Sequence, residues 1–263
     1  AVTPGRQAGF GIAIVLLALA LLSPLDELSD LYLLSAHMVQ HLILVLAVAP
    51  LLVRAIPIPL GRRLKVHPLA AFLAFNFIFA VSHVPAWYEM TLQHEPVHVL
   101  EHLLYLGAGV INWLPVLNPA RERRLNSGPS MLYLFAETLP MFAVGSIISL
   151  SRVELYAWYL RAAQISPLTR IQDQSVAGLI MWIGGSFFYL AALTVVFFRW
   201  ANREIAIDQL EQEDRADQVG TAWPARSAGA GFKPTPRPDL RPPHRGPAGQ
   251  IRNLPQQATI NKQ

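Results

Sequence analysis

The sequence predicts an all-α, polytopic transmembrane helix bundle of six spans followed by a disordered C-terminal tail. Three observations carry that prediction. Of 263 residues, 53% are hydrophobic and only 14% are charged, too few charges to coat an ordinary soluble domain. The mean hydropathy is +0.35, and the apolar residues gather into six runs at roughly 9–22, 31–53, 69–84, 97–117, 131–150 and 176–200. The basic residues form short clusters between those runs. Membrane topology therefore accounts for the sequence pI of about 9.6 better than nucleic-acid binding does, and no nucleic-acid motif is present.

Crossing the hydrocarbon core takes about 20 helical residues at a rise of about 1.5 Å each. The first and third runs are marginal by that measure, and the other four are clear spans. The first run also fits a secretory signal: Arg6 precedes an apolar stretch that ends in Ala20-Leu21-Leu22-Ser23. The absence of an initiator Met is read as processing or truncation. The bundle is assigned to residues 1–205, and 206–263 to a charged and then Pro/Arg-rich tail too poor in apolar residues to build a core.

Lys and Arg set the orientation. Arg54, Arg62, Arg63 and Lys65 follow the second span, Arg121, Arg123 and Arg124 follow the fourth, and Arg199 and Arg203 follow the sixth. These loops and the tail are expected in the cytoplasm. The loops at 23–30 and 85–96 hold Asp26, Glu27, Asp30, Glu89 and Glu95 without a basic residue, so they are expected outside. The loop at 151–174 is discordant, with Arg152, Arg161 and Arg170, but alternation places it outside as well.

Topology then sorts the histidines. His37 and His41 fall in the outer half of the second span, His83 ends the third, and His98 and His102 open the fourth. Each pair is spaced i,i+4, which stacks two imidazoles on one helix face. The stripes His37/Gln40/His41/Leu44 and His98/Glu101/His102/Tyr105 are expected to face each other. Gln40 and Glu101 then serve as weak ligands or as groups that fix a ring tautomer. A lone helical histidine is ordinarily hydrogen-bonded structure; five in one leaflet, where ionisable groups are costly, point to a metal or cofactor. The chain has no cysteine, which excludes disulfides, iron–sulfur clusters and thiolate sites.

His94-Glu95-Pro96-Val97-His98 matches the zinc-protease string H-E-x-x-H, which needs both histidines on one continuous helix. Pro96 starts a helix instead of continuing one, so that reading fails. Glu137, alone within the fifth span, is expected to face the bundle, paired with a histidine or protonated, as part of a metal or proton pathway. Pro140 beside it supplies a kink, and Gly184-Gly185 permits close helix approach.

The ordered set Ser35-Ala36-His37-Met38-Val39-Gln40-His41, His83-Val84-Pro85 with Trp87-Tyr88, His98-x-x-Glu101-His102, and Asp173-Gln174 followed by Gly178-Leu179-Ile180-Met181-Trp182 resembles the CtaG family of cytochrome c oxidase assembly factors. The resemblance covers about residues 10–200. It implies a protein of the bacterial cytoplasmic membrane, usually with seven spans, that matures haem–copper oxidases at the copper-insertion stage and is not an enzyme. Cytochrome c oxidase subunits and a periplasmic copper chaperone are the implied partners, beside membrane lipid. Copper as Cu(I) accepts imidazole and thioether ligands, which adds Met38 and Met181 as candidates and leaves Met90 nearby. Asp173 and Gln174 are expected to line the mouth of the site. A haem held by two histidines, or a scaffold whose histidines only join helices, are the alternatives.

Overall fold

A computed structural model describes residues 3–222, with side chains described to residue 216. The expected disorder beyond residue 222 lies outside the described residues. No strand occurs among the described residues. The helices are α1 Pro4–Leu21, α2 Pro24–Leu31, α3 Leu34–Ala55, α4 Ile58–Arg63, α5 Pro68–Ser82, α6 Pro85–Gln93, α7 Glu95–Leu117, α8 Ser127–Leu150, α9 Arg170–Leu179 and α10 Ser186–Ala222. A π-helical segment, Ile180–Gly185, joins α9 to α10. Proline stands in the first turn of α1, α2, α5, α6 and α7, where its fixed φ suits the helix and its missing N–H costs nothing. The described residues up to Glu211 form one compact unit.

Five stretches are long and apolar enough to cross a membrane: α1, α3, α7, α8 and Arg170–Ala216; α5 and α6 make a sixth if they are taken together, although they are bent by 75°. This is a membrane protein of helices, as the sequence predicts. The third run is the short one because α5 has 15 residues, about 22 Å of helix, and Pro85 restarts the chain in a new direction.

Two segments expected as loops are helical. Residues 23–30 carry α2, whose start is capped by Ser23 Oγ accepting from the Leu25 N–H at 3.1 Å and whose first turn holds Asp26 and Glu27; both features favour a helix N-terminus. Residues 85–96 carry α6. The charged stretch 208–217 is likewise helical, as part of α10.

α3 and α7 run parallel through the centre of the bundle. Their backbones meet where a Cβ on Gly109 would stand 3.3 Å from the Ala49 Cβ and 3.5 Å from the Val45 Cα. α3 widens into a π-helical segment over Ile43–Val48, with the Ala49 N–H bonded to Leu44 O. In that register the next carbonyl, Val45 O, would look to residue 50, which is proline and has no N–H. The Trp113 indole of α7 fills the gap, donating to Val45 O at 2.9 Å.

The tightest helix contact lies elsewhere than Gly184-Gly185. A Cβ on Gly184 would meet only Leu42 Cδ1 at 3.6 Å, and one on Gly185 the flexible Met141 Sδ at 3.0 Å. A Cβ on Gly145 would reach Gly178 O at 2.8 Å, and one on Gly178 would strike the Gly145 carbonyl and the Ser149 backbone. α8 and α9 therefore touch backbone to backbone.

Candidate metal centre

The parallel crossing of α3 and α7 brings the two His pairs together. His37 and His41 are 0% and 2% exposed, and His83, His98 and His102 are 6–8% exposed, so all five are buried. Ring centroids lie 4.2 Å apart for His37–His41, 4.4 Å for His98–His102, 5.4 Å for His41–His102 and 5.8 Å for His37–His98. One nitrogen each of His37, His98 and His102 falls within 4.8 Å of the other two. Metal–nitrogen bonds of about 2.0–2.1 Å set two ligands of one ion at most about 4.2 Å apart, so small ring rotations close the site.

The hydrogen bonding is the more telling observation. Both ring nitrogens of His37 and of His41, and Nε2 of His98 and His102, are buried without a hydrogen-bond partner. Each such group costs about 1–3 kcal/mol, and orphans of this kind call for a specific explanation. The six orphans belong to four rings on two helices, and three of those rings, His37, His98 and His102, also bring one nitrogen each within ligand-set distance of the others. His83 is different. Its Nδ1 is 2.6 Å from Phe79 O in its own helix, and its ring lies 6.3 Å from that of His41, at the edge of the group.

Asp30 completes the geometry, and sequence reasoning missed it as one more acid of an outside loop. Its carboxylate lies 3.3 Å from His98 Nδ1 and 4.0 Å from His37 Nδ1, with its side chain 26% exposed. An acid on Nδ1 fixes the proton there and frees Nε2 to bind. Burial raises the Asp30 carboxyl above its usual range, while the neighbouring His98 and the Ser29 hydroxyl pull it back. Asp30 and His37 are seven residues apart, but Leu33, in extended conformation at φ −134°, ψ 118°, breaks the helix between them. No periodicity could therefore link them.

Gln40 is spent on holding α2 in place. Its Nε2 donates to Ala20 O at 2.9 Å and to Asp26 Oδ1 at 2.7 Å, and its Oε1 accepts from the Ser29 hydroxyl at 3.0 Å. A second set of bonds presses on α2 from the segment 151–169. The Trp158 indole donates to Asp30 O at 2.7 Å, and the Tyr159 hydroxyl to Ser29 O at 2.6 Å. The Tyr88 hydroxyl donates in turn to that of Tyr159 at 2.6 Å, with the Tyr88 ring 5.0 Å from His37. Tyr156 donates to His83 O at 2.9 Å. Tyr156, Trp158 and Tyr159 escaped the sequence reading, since their partners lie more than 70 residues away.

The remaining candidates are placed as follows. Asp173 caps α3, accepting from the Leu34 N–H at 2.8 Å and from the Ser35 hydroxyl, a favourable charge at a helix N-terminus. Gln174 ties down the following segment, accepting from the Leu155 N–H at 2.7 Å and donating to Val153 O at 3.0 Å. Both line a small cavity with Leu34, Tyr156, Tyr159 and Arg170. Met38 and Met181 pack in the apolar core, and Met90 is 36% exposed. Glu101 is 3% exposed, and its carboxyl faces Thr91, Ser82 and Trp87. Glu137 belongs to a different group of side chains. Its Oε2 accepts from Asn76 at 3.1 Å, and Asn76 precedes His83 by seven residues, about 10 Å along α5.

No curated protein and no solved structure was found to match the chain. A family model described as cytochrome c oxidase caa3 assembly factor (Caa3_CtaG) matches residues 1–203. That span contains the whole histidine group, α2 and the segment above it, and the chain belongs to the Caa3_CtaG family of cytochrome c oxidase assembly factors.

Proposed function

We propose that the protein binds copper at His37, His98 and His102, with His41 and His83 beside them, and passes it to an immature oxidase. The single observation that carries this reading is the convergence of unpartnered, buried ring nitrogens from α3 and α7. Family membership supports the rest, because the target of assembly is a cytochrome c oxidase and haem–copper oxidases need copper inserted. Copper is cargo here, so the protein acts as an assembly factor and not as a catalyst.

The charge pattern of the loops supports an orientation with the histidine end outside the cytoplasmic membrane, where a copper chaperone can reach it. Three rings with one nitrogen each within 4.8 Å of the others suit an ion better than a haem, which needs two opposed rings with an open plane between them. Imidazole ligands hold copper without the permanence of a thiolate cage, and half-buried Asp30 gives the ion a first contact near the surface.

Two outcomes test the proposal. Cells lacking the protein are expected to assemble oxidase depleted in copper but not in haem, and excess copper is expected to restore it. Normal copper in that oxidase would sink the reading. Asp30→Asn is expected to weaken copper binding about 10- to 100-fold, the usual cost of losing a carboxylate behind a metal-bound imidazole. Competition with a chromophoric Cu(I) chelator reads the change directly.

A further inference from the structure

A second buried polar group lies deeper in the bundle, with Glu137 of α8 at its centre. Glu137 is 0% exposed. One carboxyl oxygen accepts from Asn76 of α5 at 3.1 Å, and the other has no partner. Asn112 of α7 and Tyr133 of α8 also face the carboxyl. The Tyr133 hydroxyl, however, gives its proton to the Asn112 backbone carbonyl at 3.0 Å and to its side-chain oxygen. The Asn112 amide reaches the Tyr189 hydroxyl of α10 at 3.4 Å, and Tyr189 in turn lies within electrostatic reach of Glu137, Tyr133 and Tyr105.

Tyr105 joins the two groups, its ring 4.5 Å from that of His41. The titratable groups facing Glu137 are thus tyrosines alone. The runs 69–84, 97–117 and 131–150 contain no Lys or Arg, and the run that carries Tyr189 holds only Arg199, ten residues further along α10. An ionised Glu137 would be a buried charge facing neutral polar side chains and no counter-ion, which is costly in a membrane interior. The donors around it are amide and phenol groups, which suit a proton or a hard cation and not Cu(I).

We propose that Glu137 is a proton-binding site, protonated while the histidine group is empty, that gives up its proton to water when a copper ion enters. This rests on the copper reading above. The balance is one Cu(I) bound by neutral imidazoles, one carboxylic acid converted to carboxylate, and one proton released, so the charge inside the bundle stays constant. Tyr133 is placed to turn its hydroxyl from Asn112 to the new carboxylate. Asn112 follows His102 by ten residues, about 15 Å along α7, and Asn76 is about 10 Å from His83 along α5. At about 12 Å and an effective dielectric of about 20, the two charges influence each other by roughly tenfold in affinity.

The test uses the full-length protein in detergent, with infrared spectroscopy and a pH indicator. The wild type is expected to show a protonated-carboxyl C=O stretch that disappears in Glu137→Gln and shifts in Glu137→Asp. Near the pH at which Glu137 is half protonated, adding Cu(I) is expected to release up to about half a proton per ion and to weaken that band, as a roughly tenfold coupling allows. In Glu137→Gln the release should vanish and copper affinity should fall about tenfold. A band unaltered in both Glu137 variants, or proton release that persists in Glu137→Gln, overturns the inference. If the band is present but the wild type takes up no copper, the copper reading fails and the coupling with it, while Glu137 stands as a protonated acid. Glu137→Asp keeps the acid, so a misfolded Gln variant does not block the band assignment.

Discussion

Purified protein carrying His37→Ala together with His102→Ala is expected to retain less than about a tenth of the wild-type copper after dialysis, measured as metal per protein. The two rings come from different helices, and each supplies a nitrogen to the group of three. Removing both leaves His98 as the sole member of that set, and a single imidazole holds copper weakly. The same double variant should melt within a few degrees of the metal-free wild type. Three of the four deleted nitrogens have no hydrogen-bond partner, so their loss removes a penalty that offsets part of the lost packing. A scaffold whose histidines only join helices makes the opposite prediction, with stability falling and oxidase metallation unaffected. Unchanged copper content in the double variant would end the metal-centre reading.

Gly178→Ala should be among the most damaging single-methyl additions in the chain. The new Cβ would meet the Ser149 backbone and the Gly145 carbonyl at less than van der Waals distance, and backbone atoms cannot swing aside as a side-chain end can. α9 must therefore move off α8, and it carries Asp173 and Gln174 with it. The cap on α3 and the ties to 153–155 are strained together. Overpacking of this sort costs about 1–3 kcal/mol, and more where hydrogen bonds are lost as well. Thermal unfolding in detergent should show a fall of several degrees for Gly178→Ala and little change for Gly184→Ala, whose Cβ would meet only Leu42 Cδ1 at 3.6 Å. Equal midpoints would mean that α8 and α9 are not in backbone contact.

Much of the site was legible because helix periodicity is local. His37 with His41, and His98 with His102, each share a face by spacing alone, and the alternation of spans puts both pairs at one end. Pro96 correctly removed the protease reading of His94, since α7 begins at Glu95. What escaped was everything that depends on chain reversal. Gln40 reads as a weak ligand or a group that fixes a ring tautomer from its place in the stripe, and it meets α2 and α1 through hydrogen bonds to Asp26, Ser29 and Ala20. Asp173 reads as part of a mouth, yet it caps a helix 138–139 residues earlier. Glu137 reads as a candidate member of one polar set, yet it is the centre of another.

The sequence by itself determined the membrane class, the helical architecture, the paired imidazoles and the family resemblance, because hydropathy and the 3.6-residue period are properties of contiguous residues. Only the tertiary structure decided that His37, His98 and His102 converge while His83 stands at the edge. It alone folded α2 back so that Asp30 backs His98, and it alone separated Glu137 from the histidines. The physical reason is common to all three. A ligand set is fixed by where parallel helices cross and by which distant hydrogen bonds hold a short helix against them, and neither is encoded in the spacing of residues along one chain segment.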